Sequence, residues 1–140
     1  MRIRTKAREI ALQYLYQVDI TKNHTEETLK DFIAHFVEDT DVIPYARDLI
    51  DGVYTQLHRI DELIENASNN WSVSRMSTTD RNILRIATFE LVFKPDIPYK
   101  VAINEGIELA KKFGSPRFPA FANGVLDRVR TEVSSDGNPG

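Results

Sequence analysis

The chain has 140 residues, 41% of them hydrophobic and 28% charged, the proportions of a single ordinary folded domain. It has no cysteine, which excludes disulfides, cysteine-ligated metal sites and thiol catalysis. A formal net charge of -3 argues against a protein that coats nucleic acid indiscriminately.

The charges are unevenly spread. Residues 1–8 carry Arg2, Arg4, Lys6 and Arg8 without an acid, whereas residues 26–51 hold eight acids against Lys30 and Arg47. Such asymmetry suits a protein that offers a local basic surface to a polyanion. The N-terminus has no apolar leader-like stretch, and no apolar run approaches the roughly 18 residues that would cross a bilayer. A cytoplasmic protein without membrane contact is therefore expected.

Over residues 4–20 the side chains Ala7, Ala11, Tyr14, Leu15 and Val18 recur at three- and four-residue steps, which predicts a helix with one buried stripe. Thr25 suits the N-cap of a second helix over about 26–37, with Leu29, Phe32, Ile33 and Phe36 inward. Pro44 fits the first turn of a longer third helix over 45–67, which buries Leu49, Ile50, Val53, Leu57, Ile60 and Ile64. The Asn-, Ser- and Thr-rich stretch 66–79 around Trp71 marks a junction between two helical halves, about 1–68 and 69–133. Residues 79–93 are apolar around most of a helical circumference and predict a central, buried helix. Pro95 closes it and Pro98 opens the next, in which Val101, Ile103, Ile107, Ala110 and Phe113 carry the pattern to Gly114, expected as a left-handed cap. A last helix follows over about 118–133. The tail 134–140 has no apolar residue and is expected to be disordered. No segment reads as a strand, so the predicted fold class is all-α, in one domain over 1–133.

Nothing in the sequence has the spacing of a catalytic or metal site. His24, His35 and His58 are scattered, and H-E-x-x-H, nucleophile-elbow and phosphate-loop motifs are absent. Adjacent acid pairs such as Asp61 and Glu62 diverge by about 100° on a helix, as solvated side chains do. The expectation is a binding protein without enzymatic activity, metal or cofactor.

Two surfaces offer themselves for binding. Helical stepping places Tyr16 beside Glu9 and Gln13, opposite the stripe of Ala7, Ala11 and Val18. An outward aromatic often serves only to pack a neighbouring helix. Beside Arg2, Arg4, Lys6 and Arg8 it also fits single-stranded RNA, where cations hold phosphates and an aromatic face stacks a base. Arg81 and Arg85 form a second basic strip on the polar side of the central helix, either for RNA or to cover apolar surface and pair with acids.

Four ordered segments resemble the NusB family: A-R-E-I-A-L-Q-Y-L-Y at 7–16, D-R-N-I-L-R-I-A-T-F-E-L at 80–91, I-P-Y-K-V-A-I-N-E-G-I-E-L-A-K-K-F-G at 97–114 and F-A-N-G-V-L-D at 121–127. The resemblance implies about seven helices in two packed bundle-like halves. It also implies binding of the boxA element of single-stranded RNA, together with the ribosomal protein NusE, within an RNA polymerase antitermination complex that serves ribosomal RNA operons. Self-association stays open. The RNA-binding residues carried over are Arg4, Lys6, Arg8 and Tyr16 from the first helix and Phe121 and Asn123 from the F-x-N-G motif, with Arg85 added from the basic strip. Asp80 carries over as the residue facing NusE. The first and last helices are expected side by side, which would join Tyr16 to the turn at 121–123. Between Gly114 and Phe121 the S-P-R-F-P-A segment departs from the family pattern and leaves the role of Arg117 open. A helical protein-interaction module without direct RNA contact is the alternative.

Overall fold

The computed structural model describes residues 2–135; the expectation of disorder over 136–140 lies outside them. Among the described residues there are seven α-helices, two short 3-10 turns and no strand. The helices are α1 (Arg2–Thr21), α2 (Glu26–Phe36), α3 (Ile43–Thr55), α4 (Leu57–Ala67), α5 (Thr78–Phe93), α6 (Tyr99–Phe113) and α7 (Phe118–Ser135). Local signals set most boundaries. The Thr25 side chain accepts the N–H of Thr28 at the start of α2, Ser77 accepts that of Asp80 at the start of α5, and Pro44 lies in the first turn of α3.

Three boundaries differ from the sequence reading. The long third helix is two: Gln56, at φ -106° and ψ 17°, separates α3 from α4 while its N–H still donates to the Gly52 carbonyl. The break lets α3 lie against α1 and α5 and α4 against α5 and α7. Gly114 is extended at φ -81° and ψ 173° and is no left-handed cap. The left-handed residues are Lys22, just past α1, and Asn69 and Asn70, which turn the chain out of α4. Ser134 and Ser135, assigned to the tail, end α7.

Helix α5 is the axis of the fold, with α1, α3, α4, α6 and α7 packed around it. Its Ile83, Leu84, Ile86 and Ala87 are almost wholly buried, in one core cluster that also draws on α1, α2, α3, α4, α6 and α7. That cluster runs without interruption across the junction at 66–79. Two glycines permit the close approach of neighbours. A Cβ on Gly52 of α3 would lie 2.1 Å from the Phe89 ring, and one on Gly106 of α6 would lie 2.7 Å from the Ala87 Cβ. Gly52→Ala is accordingly expected to lower stability by at least about 1 kcal/mol through overpacking, read as a fall in the urea midpoint. An unchanged midpoint would show that the Phe89 ring moves aside freely.

Candidate nucleic-acid interface

Helix α1 places its basic residues in two different environments. Its outward side, carrying Lys6, Glu9, Gln13 and Tyr16, forms one side of a groove of about 760 Å3. Phe36 and Glu38, at and just past the end of α2, lie on the other side, and Thr79 of α5 and Phe113 of α6 also line it. Tyr16 is 44% exposed and Phe113 41%. Beyond Phe113 the chain turns around Phe118, which lies 6.2 Å from the 41% exposed ring of Phe121, and Asn123 is exposed two residues further on. Tyr16 and Phe113 thus form one aromatic face in the groove, and the chain leads from its edge past the buried Phe118 to Phe121. The expected side-by-side placement of α1 and α7 is not its basis: α1 packs chiefly on α3 and α5, and α7 on α4, α5 and α6.

Cations flank this face. Lys6 is exposed within the groove, and Lys112 places its Nζ 5.3 Å from the Phe113 ring centre while donating to Glu9 at 2.9 Å. Lys111 and Arg117 are exposed nearby in sequence. The sequence reading placed Phe113 in the apolar pattern and, because cations are favoured at any helix end, did not count Lys112 among the RNA-binding residues. Phe113 falls in the apolar register of α6, but it is that helix's last residue, where the covering elements stop.

Arg4 has a half-exposed side chain, with its guanidinium 4.7 Å over the Tyr45 ring and 3.8 Å from Asp96. It does not line the groove that Lys6 and Tyr16 share. Arg8 requires correction, because only 2% of it is exposed. Its Nε donates to both Glu90 oxygens at 2.8 and 3.1 Å and its Nη1 to Glu105 at 2.9 Å. The Tyr45 hydroxyl also donates to Glu90. Burial pushes the Arg8 guanidinium down, but the hydrogen bond to Glu90 and the charges of Glu90 and Glu105 outweigh it and raise the pKa. This side chain ties α1 to α5 and α6 and has no face for a phosphate.

Arg85 also turns inward on acids. Its Nε and Nη2 donate to the two Asp61 oxygens at 2.9 and 3.0 Å, and Nη1 to Asp19 at 3.2 Å and Asn82 at 3.1 Å, with 13% of the side chain exposed. Arg81 donates to the same Asp19 oxygen at 2.7 Å, as does the Asn82 amide at 2.9 Å. The second basic strip is therefore neutralised by its own acids. Burial would raise the Asp19 carboxyl, yet hydrogen bonds from Arg81 and Asn82 and the charges of Arg85 and Arg81 hold it at about 2, below its ordinary 3.8. A carboxyl lowered by folding stabilises the fold above its unfolded pKa and loses that contribution as pH falls through the folded one. On the order of 2 kcal/mol should thus disappear between about pH 4 and pH 2. Asp19→Asn is expected to lose stability at neutral pH and to flatten the curve over that window; an unflattened curve would assign the acid loss elsewhere.

Asp80 is 8% exposed, against the expectation of a partner-facing acid. Its two oxygens accept the Ser115 N–H at 3.2 Å and the Ser115 hydroxyl at 2.8 Å. The acid therefore holds the turn between Phe113 and Phe121 against the start of α5.

Among the described residues there is no group of three His, Asp or Glu side chains that could hold a metal ion, and no helix long and apolar enough to cross a membrane. The architecture defines a small helical protein whose distinguishing surface is an aromatic groove with cations beside it. Residues 5–131 match the NusB family, and the chain belongs to it. It is 47% identical over 138 residues to the transcription antitermination protein NusB of Myxococcus xanthus, covering 96% of this chain and 99% of the relative. It is also 47% identical to the NusB of Desulfotalea psychrophila, with 94% and 97% covered. The T. maritima NusB structure superposes with a TM-score of 0.82 at 37% identity, covering 92% of this chain and 91% of that one. A chain in a crystal structure of the antitermination factors NusB and NusE in complex with double-stranded RNA gives 0.82 at 28%, with 94% and 98% covered.

Proposed function

We propose that this chain is a transcription antitermination factor that binds boxA-type RNA together with NusE in the cytoplasm, as part of an RNA polymerase antitermination complex on ribosomal RNA operons. The observation that carries the reading is the groove in which the exposed Tyr16 and Phe113 lie with Lys6 and Lys112 beside them, with Phe121 exposed further along the chain. Aromatic faces stack unpaired bases and lysines hold phosphates, which is the division of labour of single-strand recognition. The solved complex of relatives with NusE and RNA supports the same class of partners.

The face works by adding three contributions. Lys6 and Lys112 raise the local concentration of the strand and lose that advantage as salt rises, because binding releases counterions. Tyr16, Phe113 and Phe121 supply stacking that is tolerant of sequence. Asn123, exposed on α7, adds an amide that can read a base edge. Residues 1–133 act as one RNA-binding unit.

The test is a titration of single-stranded boxA RNA, a scrambled strand and a duplex, each with and without NusE. The expected result is a preference for the boxA strand that NusE strengthens. RNA binding absent in every case, with NusE still bound, would replace this reading with that of a protein-interaction module.

A further inference from the structure

We infer that the groove between α1 and the end of α2 is a base-binding subsite, in which an unpaired base of the bound strand stacks on Phe36. The inference rests on the RNA-binding reading and extends it to a residue of the acidic half of the chain. Phe36 was expected inward, as the last apolar position of α2, but it is 58% exposed. It is a placed ring, lying 5.1 Å from the buried Phe32 ring and 6.4 Å from His35. His35 is itself fixed, its Nδ1–H donating to the Asp31 carbonyl at 2.9 Å, which leaves Nε2 for a ligand.

Three observations select a base as the occupant. The groove is continuous with the RNA face, because Lys6, Tyr16 and Phe113 line it together with Phe36. Its accessible apolar lining, from Ile10 and the rings of Tyr16, Phe36 and Phe113, accepts a flat heterocycle and not a charged backbone. Its charges are divided, with Lys6 and Glu9 on the α1 side, where Glu9 is held by Lys112, and the exposed Glu38 and Asp39 on the side of Phe36. Phosphates are held near Lys6 and repelled from Glu38 and Asp39, so the part of a nucleotide that can cross the groove is its base. Carboxylates at that rim accept hydrogen bonds from exocyclic amino groups, which favours adenine, cytosine or guanine over uracil.

The test uses the full chain with NusE and a single-stranded boxA oligonucleotide in which one abasic residue is walked along the strand. With the parent protein, an abasic residue opposite each stacking ring is expected to weaken binding by about fivefold or more, and one of those positions belongs to Phe36. With Phe36→Ala that same position should become silent, since the base and the ring form one interaction and their losses do not multiply. Phe36→Trp should restore the sensitivity, and circular dichroism of each variant should match the parent because the ring is exposed. If losses from Phe36→Ala and from every abasic position multiply independently, Phe36 touches no base and the inference is overturned. Unaltered RNA binding with weakened binding of NusE would assign the groove to the protein partner, which also overturns it. A parent that binds no RNA would instead sink the functional reading on which the subsite depends.

Discussion

Arg8→Ala is expected to destabilise the protein by about 3–5 kcal/mol, the usual penalty for removing one member of a buried ion pair. Glu90 is 1% exposed and would lose the Arg8 Nε that bonds both its oxygens, keeping only the Tyr45 hydroxyl. Glu105, with 17% of its side chain exposed, loses its bond to Nη1 but can turn to water. The dominant cost is therefore the stranded Glu90 charge. A small domain has a total stability of only about 5–15 kcal/mol, so Arg8→Ala should melt many degrees below the parent or fail to accumulate. Glu90→Gln in the Arg8→Ala background should recover much of the loss, because an uncharged amide is cheaper to bury than a carboxylate. Chemical denaturation followed by circular dichroism measures both effects. The salt dependence of RNA binding by the folded fraction should stay at the parental slope. A variant with parental stability and a shallower salt slope would place Arg8 on the RNA after all.

The burial of Arg8 was legible in the sequence, though charge composition concealed it. At 100° per residue Arg8 falls about 20° from Leu15 and 40° from Leu12, within the buried arc, and about 80° from Tyr16. Grouping it with Lys6 because both are basic ignored the direction that correctly sent Tyr16 outward. Its acids were less accessible, since Glu90 lies 82 residues away and is covered only when α1 docks on α5. The same holds for Arg85, whose neutralising Asp19 and Asp61 come from α1 and α4. Local chemistry was readable where it was self-contained, as at Thr25 and Pro44. The break at Gln56 was not, because the apolar stripe from Leu49 to Ile64 keeps one helical phase through it, with neither Gly nor Pro at the break itself. Its cause is tertiary: α3 and α4 have different neighbours. Asp80 shows the other limit, for an acid in a helix's first turn looks the same in sequence whether it meets a partner protein or, as here, the backbone and hydroxyl of Ser115.

The exposed face should separate into two kinds of variant when RNA binding is measured with NusE across a salt series. Tyr16→Ala and Phe113→Ala are each expected to weaken binding of single-stranded boxA RNA by about 1–3 kcal/mol, with little change in salt slope, because they remove stacking and no charge. Both rings are more than two-fifths exposed, so their truncation leaves no sizeable cavity and the fold should persist. Phe121→Ala belongs to the same class, with the added loss of its packing on the buried Phe118. Lys6→Ala should behave differently. Its ammonium is exposed, and removing one charge that neutralises a phosphate lowers the salt slope by about one while weakening all RNAs alike. Lys112 lies between the classes, since its Nζ sits by the Phe113 ring and is shared with Glu9. Removing Glu9 should therefore free a cation and strengthen binding at low salt, an effect that screening erases as ionic strength rises. The pattern is diagnostic because no general loss of folding produces it: unfolding would weaken binding in every variant and alter the slope in none. If Tyr16→Ala, Phe113→Ala and Lys6→Ala remain folded and all bind boxA RNA as the parent does, the aromatic groove is not the RNA face, and the strand must lie on a different surface of the fold.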